Sequence, residues 1–259
     1  NGESNASMVA AGIINPITGL RFVKTPDVET LLPTALKLYA KLSAFFGQAF
    51  YLEKPLFRLL QSQDELSHCK NRLKQADYVP YLGELNLPNQ QLAGFSTPFG
   101  YVGQQQTGHL LTLPLLGKLK QAFVEQDVYK TAKLDYNAIQ FINHASANPW
   151  FSWLPFQPTK GEILSLEHQL ELLDAIVNYG NWLLPLASDL VRIGATFDRE
   201  HLNSLPSLEG KQSLLRTLKT ISPTLAQTNI VAHQAGIRPC TADKYPFIGR
   251  HPQNKRIAI

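Results

Sequence analysis

The sequence has only two cysteines in 259 residues, and this scarcity excludes several classes of protein. Cys69 and Cys240 lie far apart, with no C-x-x-C and no cluster of His and Cys at metal-ligand spacing. A disulfide framework or a structural zinc site needs more ligands, more closely spaced, than this pattern supplies. We therefore expect no metal centre and a reducing, cytoplasmic location.

Charge runs and long apolar runs are missing as well. Lys+Arg 24 against Asp+Glu 20 gives a formal net charge of +4 without any block of like charges, so binding of tRNA or other nucleic acid is permitted but not indicated. No stretch approaches the roughly 18 apolar residues that span a bilayer. The start, N-G-E-S-N, lacks the basic and apolar regions of a signal peptide. We expect no membrane partner and, since no Met begins the sequence, a natural start that lies elsewhere.

Several catalytic motifs are also absent. The sequence contains no G-x-G-x-x-G, no G-x-x-x-x-G-K-[ST], no G-x-S-x-G and no H-E-x-x-H. The seven histidines occur singly, and a lone histidine is more often a structural or surface residue than a catalyst. We assign no role to any of them.

What the sequence does contain is a mixture of helical and strand-like segments. Helical periodicity and capping residues predict helices at 26–46, 62–75, 112–126 and 207–221. Runs of β-type residues predict strands at 50–60, 163–166, 182–186, 191–196 and 230–235. Because strand and helix do not alternate regularly, we predict an α+β fold with a mixed or antiparallel sheet and flanking helices.

The most specific stretch is residues 235–250, A-G-I-R-P-C-T-A-D-K-Y-P-F-I-G-R. Arg238, braced by Pro239, presents a permanently charged, planar fork of donors that suits a carboxylate. A structural clamp between Arg238 and Asp243 would explain the local sequence equally well.

Three further stretches accompany it: 6–16 (A-S-M-V-A-A-G-I-I-N-P), 154–164 (L-P-F-Q-P-T-K-G-E-I-L), and the pair 182–185 (W-L-L-P) and 191–196 (V-R-I-G-A-T). In this order the four resemble FAD-dependent oxidoreductases of the D-amino-acid oxidase superfamily. The likeness is greatest to glycine oxidase-like members and to the oxidase domain of the enzyme that modifies the tRNA wobble uridine. Four matches in order over nearly the whole chain argue against coincidence.

The resemblance implies a flavin site and a reaction. Its cofactor contacts would be Ser7, Ala10, Ala11, Gly12, Ile13 and Pro239. Arg238 occupies the position of the arginine that binds the substrate carboxylate over the flavin. Trp182 falls where the family often keeps an active-site aromatic, although core packing explains it equally well. The implied enzyme oxidises a small amine or amino acid by hydride transfer from Cα–H to flavin N5. The imine then hydrolyses, and O₂ or another acceptor reoxidises the flavin.

Departures from the family shape the expected domains. The G-x-G-x-x-G segment that places a pyrophosphate on a helix N-terminus is not in this sequence. An apolar strand expected between Phe141 and Asn148 is also missing. We therefore expect 1–25 and 235–259 to be remnants of a Rossmann-like FAD-binding domain, and 26–234 to be mainly the substrate-binding domain, with a gap near 141–148. The sequence is then part of a longer protein, or a remnant that does not bind FAD.

Two other functions remain open. A flavin-dependent oxidase acting on the tRNA wobble uridine would fit the same resemblance and the basic pI of about 9.0. A non-catalytic binding domain that has lost its cofactor half would fit the missing G-x-G-x-x-G.

Overall fold

A computed structural model describes residues 6–88, 92, 94–129, 151–255 and 258–259 of the chain. Its helices are α1 (Ala6–Val9), α2 (Val28–Phe46), α3 (Gln63–Leu73), α4 (Thr112–Glu125) and α5 (Leu208–Ile221). Its strands are β1 (Ile13–Ile14), β2 (Ile17–Thr18), β3 (Val23–Lys24), β4 (Tyr51–Glu53), β5 (Leu56–Leu59), β6 (Leu82–Asn86), β7 (Tyr101–Gln104), β8 (Gly108–Leu110), β9 (Thr159–Glu167), β10 (Ile176–Asn178), β11 (Trp182–Ala187), β12 (Leu190–Gly194) and β13 (Asn229–Arg238). The gap predicted near 141–148 lies outside the described residues.

Eight strands form one mixed sheet in the order β13-β9-β12-β11-β10-β5-β7-β6. Neighbouring strands are antiparallel except β10 and β5, which run parallel. Strand β13 follows β9 along its whole length, from Asn229 opposite Glu167 to Arg238 opposite Thr159. A mixed sheet with flanking helices confirms the predicted α+β fold. The domain boundary expected between residues 234 and 235 falls inside β13.

Two smaller sheets lie beside the large one. Strands β1, β8 and β4 form an antiparallel sheet in the order β1-β8-β4, and β2 and β3 form a hairpin. The backbone N–H of Leu110 donates to the carbonyl of Gly12 at 2.8 Å, which extends the pairing of β8 to the residue before β1. The N-terminal segment is therefore held against the body of the protein through β8.

Local capping signals determine two of the helix starts. The side chain of Ser62 accepts a hydrogen bond from Glu65 N at 3.1 Å, and that of Ser207 accepts one from Gly210 N at 3.0 Å. Both hydroxyls satisfy a backbone donor that the first helical turn leaves free, as their positions in the sequence predict. Helix α2 instead begins after Asp27, two residues later than predicted, and Asp27 makes no side-chain cap.

The strand predicted at 50–60 is two strands that belong to different sheets. Strand β4 pairs with β8 in the small sheet, and β5 pairs with β7 and β10 in the large one. Pro55 lies between them and has no N–H to donate to a ladder, so the chain can leave one sheet there and enter the other. Its carbonyl accepts from Ile176 N at 2.8 Å.

The large sheet is covered on both faces. Leu164, Val191 and Ile193 are fully buried against Leu214 and Leu218 of α5. The opposite face carries a smaller apolar cluster, Ala11, Leu56, Ile176 and Leu184, where the N-terminal segment packs. Alternation along β12 turns Arg192 and Gly194 toward this second face. Within the described residues, no helix is long and apolar enough to cross a bilayer.

Candidate functional site

A cavity of about 570 Å³ opens between the N-terminal segment 6–13 and the second face of the large sheet. The eight residues assigned from the sequence all line it: Ser7, Ala10, Ala11, Gly12, Ile13, Trp182, Arg238 and Pro239. They come from distant parts of the chain, so tertiary packing brings them to one place. Gly161, Asn178, Ala195 and Gly236 also line the cavity, and the sequence assigned no role to them.

Segment 9–12 forms one wall of the cavity, and most of its carbonyl groups are already bound. Arg192 Nη2 donates to Val9 O at 2.7 Å, Thr112 Oγ1 donates to Ala10 O at 3.5 Å, and the Gly12 carbonyl accepts from Leu110 N. Among the described residues, the N–H groups of Ala11 and Gly12 have no hydrogen-bond partner. The wall can therefore offer amide donors to acceptor atoms of a bound molecule.

Gly12 is required at this wall for two reasons. Its φ of +69° is a left-handed conformation that side chains rarely adopt, and a Cβ there would lie 2.0 Å from the carbonyl oxygen of Leu110. A glycine allows segment 9–12 to turn tightly while its backbone stays close to β8.

Arg238, at the end of β13, carries the only charge among the described residues that line the cavity. Its Nη1 and Nη2 lie 3.5 and 3.4 Å from the carbonyl oxygen of Thr196, and its guanidinium group lies against Gly161. Burial lowers the pKa of Arg238 from its ordinary value, while proximity to Cys240 acts in the opposite direction. The group remains a cation because the pKa of free arginine lies so high.

No carboxylate in the described part of the chain lies within ion-pair distance of Arg238. Asp243 does not form the clamp that the local sequence allowed, because its Oδ1 accepts from the backbone N–H of Tyr245 at 3.0 Å instead. A partly buried cation without an internal anion is suited to bind an anion from outside.

Trp182 contributes both to the core and to the cavity wall. It is half-buried, packs against the cluster that contains Ile176 and Leu184, and lies opposite Gly194 in the ladder of β11 and β12. A Cβ at Gly194 would come within 2.6 Å of the indole Cζ2 atom. The indole of Trp182 can lie in this position because Gly194 has no side chain.

On the face of the large sheet that packs against α5, a buried network of polar side chains lies behind Arg238. Glu162 and Thr196 exchange hydrogen bonds: Glu162 N donates to Thr196 Oγ1 at 2.9 Å, and Thr196 N donates to Glu162 O at 3.2 Å. The Glu162 carboxylate interacts with Lys160 Nζ at 3.1 Å and His233 Nε2 at 2.7 Å, and accepts from Ser207 N at 2.9 Å and Ser207 Oγ at 2.7 Å. The carbonyl that accepts from Arg238 therefore belongs to a residue whose backbone N–H and hydroxyl are both hydrogen-bonded to the backbone of Glu162.

Glu162 is 2% exposed, so its charge depends on this network. Desolvation is the largest influence and raises its pKa, but the hydrogen bonds from Ser207, Lys160 and His233 together outweigh it. The pKa of Glu162 is accordingly lowered, and the carboxylate is ionised at neutral pH.

Gly161, Thr196 and Arg192 are the site residues that sequence reasoning missed. Gly161 faces Gly236 in the ladder of β9 and β13, and the space that their side chains would fill is occupied by the Arg238 guanidinium and by Ala6 and Val9. A predicted register between strands β9 and β13 could have shown that Gly161 and Gly236 lie opposite each other. The contact of Arg192 with Val9 has no local signal in the sequence.

In sequence and in fold, the chain is similar to FAD-dependent oxidoreductases. The family model described as "FAD dependent oxidoreductase" (DAO) matches residues 138–259. A curated glycine oxidase from Bacillus licheniformis is 36% identical over 103 residues, which are 39% of this chain and 28% of that enzyme. The chain thus matches less than a third of the length of this curated relative.

Solved structures match nearly the whole chain. Glycine oxidase from Geobacillus kaustophilus superposes with a TM-score of 0.78 at 19% identity, covering 98% of this chain and 78% of that one. Glycine oxidase from Bacillus cereus superposes with a TM-score of 0.76 at 20% identity and the same coverage. The family match and the curated relative confirm the predicted resemblance to glycine oxidase-like members of the D-amino-acid oxidase superfamily, and these structures confirm the fold. FAD is the cofactor that this resemblance implies, as predicted.

The lining of the cavity fits a flat, acceptor-rich ring such as that of a flavin. In the described part of the chain, no acceptor binds the N–H groups of Ala11 and Gly12, and small residues leave the wall open. The absence of side chains at the facing Gly161 and Gly236 makes room for the Arg238 guanidinium and for α1 beside the cavity. A Cβ at Gly161 would instead strike the Arg238 guanidinium, at 2.1 Å from Nη2.

Proposed function

We propose that this chain contributes to a FAD-dependent oxidase or dehydrogenase in which Arg238 binds the carboxylate of a small amine or amino-acid substrate. The observation that carries the proposal is the Arg238 guanidinium, which lies in the cavity wall and has no carboxylate partner among the described residues. A substrate carboxylate would supply the missing anion in a bidentate pair.

The other lining residues support the same assignment. Ser7, Ala10, Ala11, Gly12, Ile13 and Pro239 are proposed to hold the flavin. Trp182 is proposed to confine the substrate beside the ring. Residues 1–25 and 235–259 would then belong to the cofactor-binding part of the whole protein, and 26–234 mainly to the substrate-binding part. When bound, the flavin supplies the capacity to accept a hydride.

The protein's own contribution is to align the substrate. Arg238 is held by the Thr196 carbonyl and lies against Gly161, so the position of a bound carboxylate is determined before the substrate arrives. A fixed carboxylate in turn determines which face of Cα meets the ring, and such alignment lowers the entropic part of the barrier. The apolar side chains of Leu56, Ile163 and Ile176 in the lining exclude water from the reacting centre.

The size and charge of the cavity favour a small monocarboxylate. A volume of about 570 Å³ holds little more than a ring system and a small substrate. One cation in the lining matches one carboxylate. A polyanion such as tRNA binds through clustered Lys and Arg, and this lining has no such cluster. The names of the glycine oxidase relatives support the same substrate class.

A spectrum of the purified full-length protein tests the proposal. We expect flavin absorbance that bleaches anaerobically on addition of glycine or another small amino acid and returns with air, with release of H₂O₂ if O₂ is the acceptor. Amines of the same size without a carboxylate should bleach it far more slowly. A protein without flavin, or a flavin that no member of the panel reduces, would contradict the assignment.

Substitution of Arg238 tests the role of the anchor. In Arg238→Ala, loss of a charged hydrogen bond of about 1.5–3 kcal/mol should raise KM for the amino acid by about 10- to 150-fold. Arg238→Lys should keep part of the affinity because it keeps the charge. Arg216→Ala, on the exposed side of α5, is the matched control and should leave KM unchanged. An unchanged KM in Arg238→Ala would remove the anchor assignment.

A further inference from the structure

A second arginine near the cavity has no evident anion. Arg192 on β12 is 9% exposed, and its Nε is buried without a hydrogen-bond partner in the described part of the chain. No described carboxylate lies within ion-pair distance of it. A buried cation that is not neutralised is costly, so its retention calls for a physical reason.

Arg192 contacts the cavity wall that segment 9–12 forms. Its Nη2 donates to Val9 O at 2.7 Å and to Gln234 Oε1 at 3.3 Å. Val9 is the last residue of α1, and Ala10 to Ile13 follow it along the cavity. Arg192 lies opposite Leu184 in the ladder of β12 and β11, and Leu184 packs with Ala11 on the cavity side of the sheet. The guanidinium therefore links the sheet to the start of this wall.

The charge of Arg192 also acts on a nearby histidine, His109. His109 on β8 is 7% exposed and lies opposite Ile13. Burial is the main cause that lowers the pKa of His109, and repulsion from Lys54 and Arg192 lowers it further. A hydrogen bond with the backbone of Ala11 acts in the opposite direction. His109 and Arg192 thus both engage the backbone of the segment that ends in Gly12.

We propose that Arg192 is a positioning residue for the cofactor: it fixes the Val9 carbonyl, so that the following amides face the cavity, and it adds an unneutralised positive charge behind that wall. The inference rests on the proposed flavin function. A neutral hydrogen-bond donor could hold the carbonyl alone, whereas the charge would also favour electron density on a molecule bound against the wall.

The test uses the full-length protein with Arg192→Met, Arg192→Lys and the exposed control Arg216→Met. The measurements are the Kd for FAD, the midpoint potential of the bound flavin, and hydrogen–deuterium exchange of residues 9–13 in the FAD-free protein. We expect Arg192→Met to weaken FAD binding at least tenfold, to shift the potential to more negative values, and to speed exchange in 9–13. Arg192→Lys should leave the midpoint potential of the flavin close to the wild-type value, because lysine keeps the positive charge. Arg216→Met should match the wild type in all three.

Each other outcome overturns the inference. If Arg192→Met lowers only the melting temperature and keeps the wild-type Kd and potential, Arg192 serves folding alone. If Arg192→Met does not fold, Arg192→Lys decides through the midpoint potential of the bound flavin, and a clear shift to more negative values in this variant would contradict the role of the charge. A wild-type protein that binds no FAD would overturn the proposed function itself, and with it this role. Wild-type FAD binding that survives in Arg192→Met overturns the Arg192 role and leaves the proposed function intact.

Discussion

The guanidinium group of Arg238 occupies the space that a side chain at Gly161 would fill. A Cβ at Gly161 would lie 2.1 Å from Nη2 and 2.5 Å from Cζ of Arg238. Such approach is closer than carbon and nitrogen atoms tolerate, so one of the two residues would have to move. The position of the proposed substrate anchor therefore depends on the absence of a side chain on the neighbouring strand.

Gly161→Ala should displace Arg238 without removing its charge. We expect KM for a small amino acid to rise by about tenfold or more, since a misplaced guanidinium loses part of a charged hydrogen bond. Steady-state kinetics of the full-length protein, together with the FAD content of the purified variant, would measure this.

Gly103→Ala is the matched control for that change. Gly103 also lies within a strand, and its Cβ would make only an ordinary contact of 3.8 Å with the ring of Phe57. It should alter KM little. Equal KM values for the two variants would show that Arg238 does not depend on the space at Gly161.

Gly12→Ala should destabilise the protein more than Gly19→Ala. The two glycines have nearly the same left-handed φ, +69° and +68°, so each alanine should cost about 1–2 kcal/mol from backbone strain. Only at Gly12 would the new Cβ strike a neighbour, the carbonyl oxygen of Leu110, which should add about 1–3 kcal/mol. Urea unfolding of both variants gives the comparison. Equal losses of unfolding free energy would mean that the close approach to β8 relaxes at no cost.

Removal of the Glu162 carboxylate should be among the most destabilising single changes. Glu162→Ala leaves Lys160 buried without its anion and removes the acceptor of Ser207 at the start of α5. Breaking a buried ion pair in this way costs about 3–5 kcal/mol. Glu167→Ala, at the exposed end of the same strand, should cost less than about 0.5 kcal/mol. Chemical denaturation distinguishes them, and similar losses in both variants would refute a structural role for the network.

The same carboxylate should make stability depend on acid pH. The pKa of Glu162 is lower in the folded protein than its ordinary value of 4.5, so the unfolded chain binds the proton more readily. Its contribution is therefore complete above about pH 4.5 and is lost as the pH falls through the folded value. Glu162→Gln should show a shallower loss of unfolding free energy below pH 4.5 than the wild type. Parallel curves would contradict the lowered pKa.

His109 should make the protein less stable on mild acidification. The pKa of His109 is lowered from its ordinary 6.5, chiefly by burial, so between the two values the unfolded chain binds more protons than the folded one. Stability due to neutral His109 is thus complete above about pH 6.5 and declines as the pH falls below it. His109→Gln should flatten the unfolding free energy between pH 7.5 and about 5.5, the range in which histidine titrates. A pH slope in His109→Gln equal to that of the wild type would contradict the lowered pKa of His109.

The sequence by itself determined the features that depend on near neighbours along the chain. Ser62 and Ser207 cap α3 and α5 because a hydroxyl three residues before a backbone N–H can satisfy it, whatever the rest of the fold. The R-P motif around Arg238 and the small-residue segment near Gly12 were recognised through their resemblance to the D-amino-acid oxidase superfamily. Even so, the start of α2 was predicted two residues too early. The break between β4 and β5 was missed because it depends on which sheet each strand joins.

Only the tertiary structure decided what each of these residues faces. Arg238 could have paired with nearby Asp243, but the β13–β9 ladder turns it over Gly161 and toward Thr196. Arg192 reaches Val9 across 183 positions of sequence, which no local pattern can reveal. Side-chain surroundings depend on strand order and register, and these are properties of the whole sheet. The sequence therefore determined which residues could form a site, and the fold determined that they surround one cavity, whose wall carries a cation with no carboxylate partner among the residues that the structure describes.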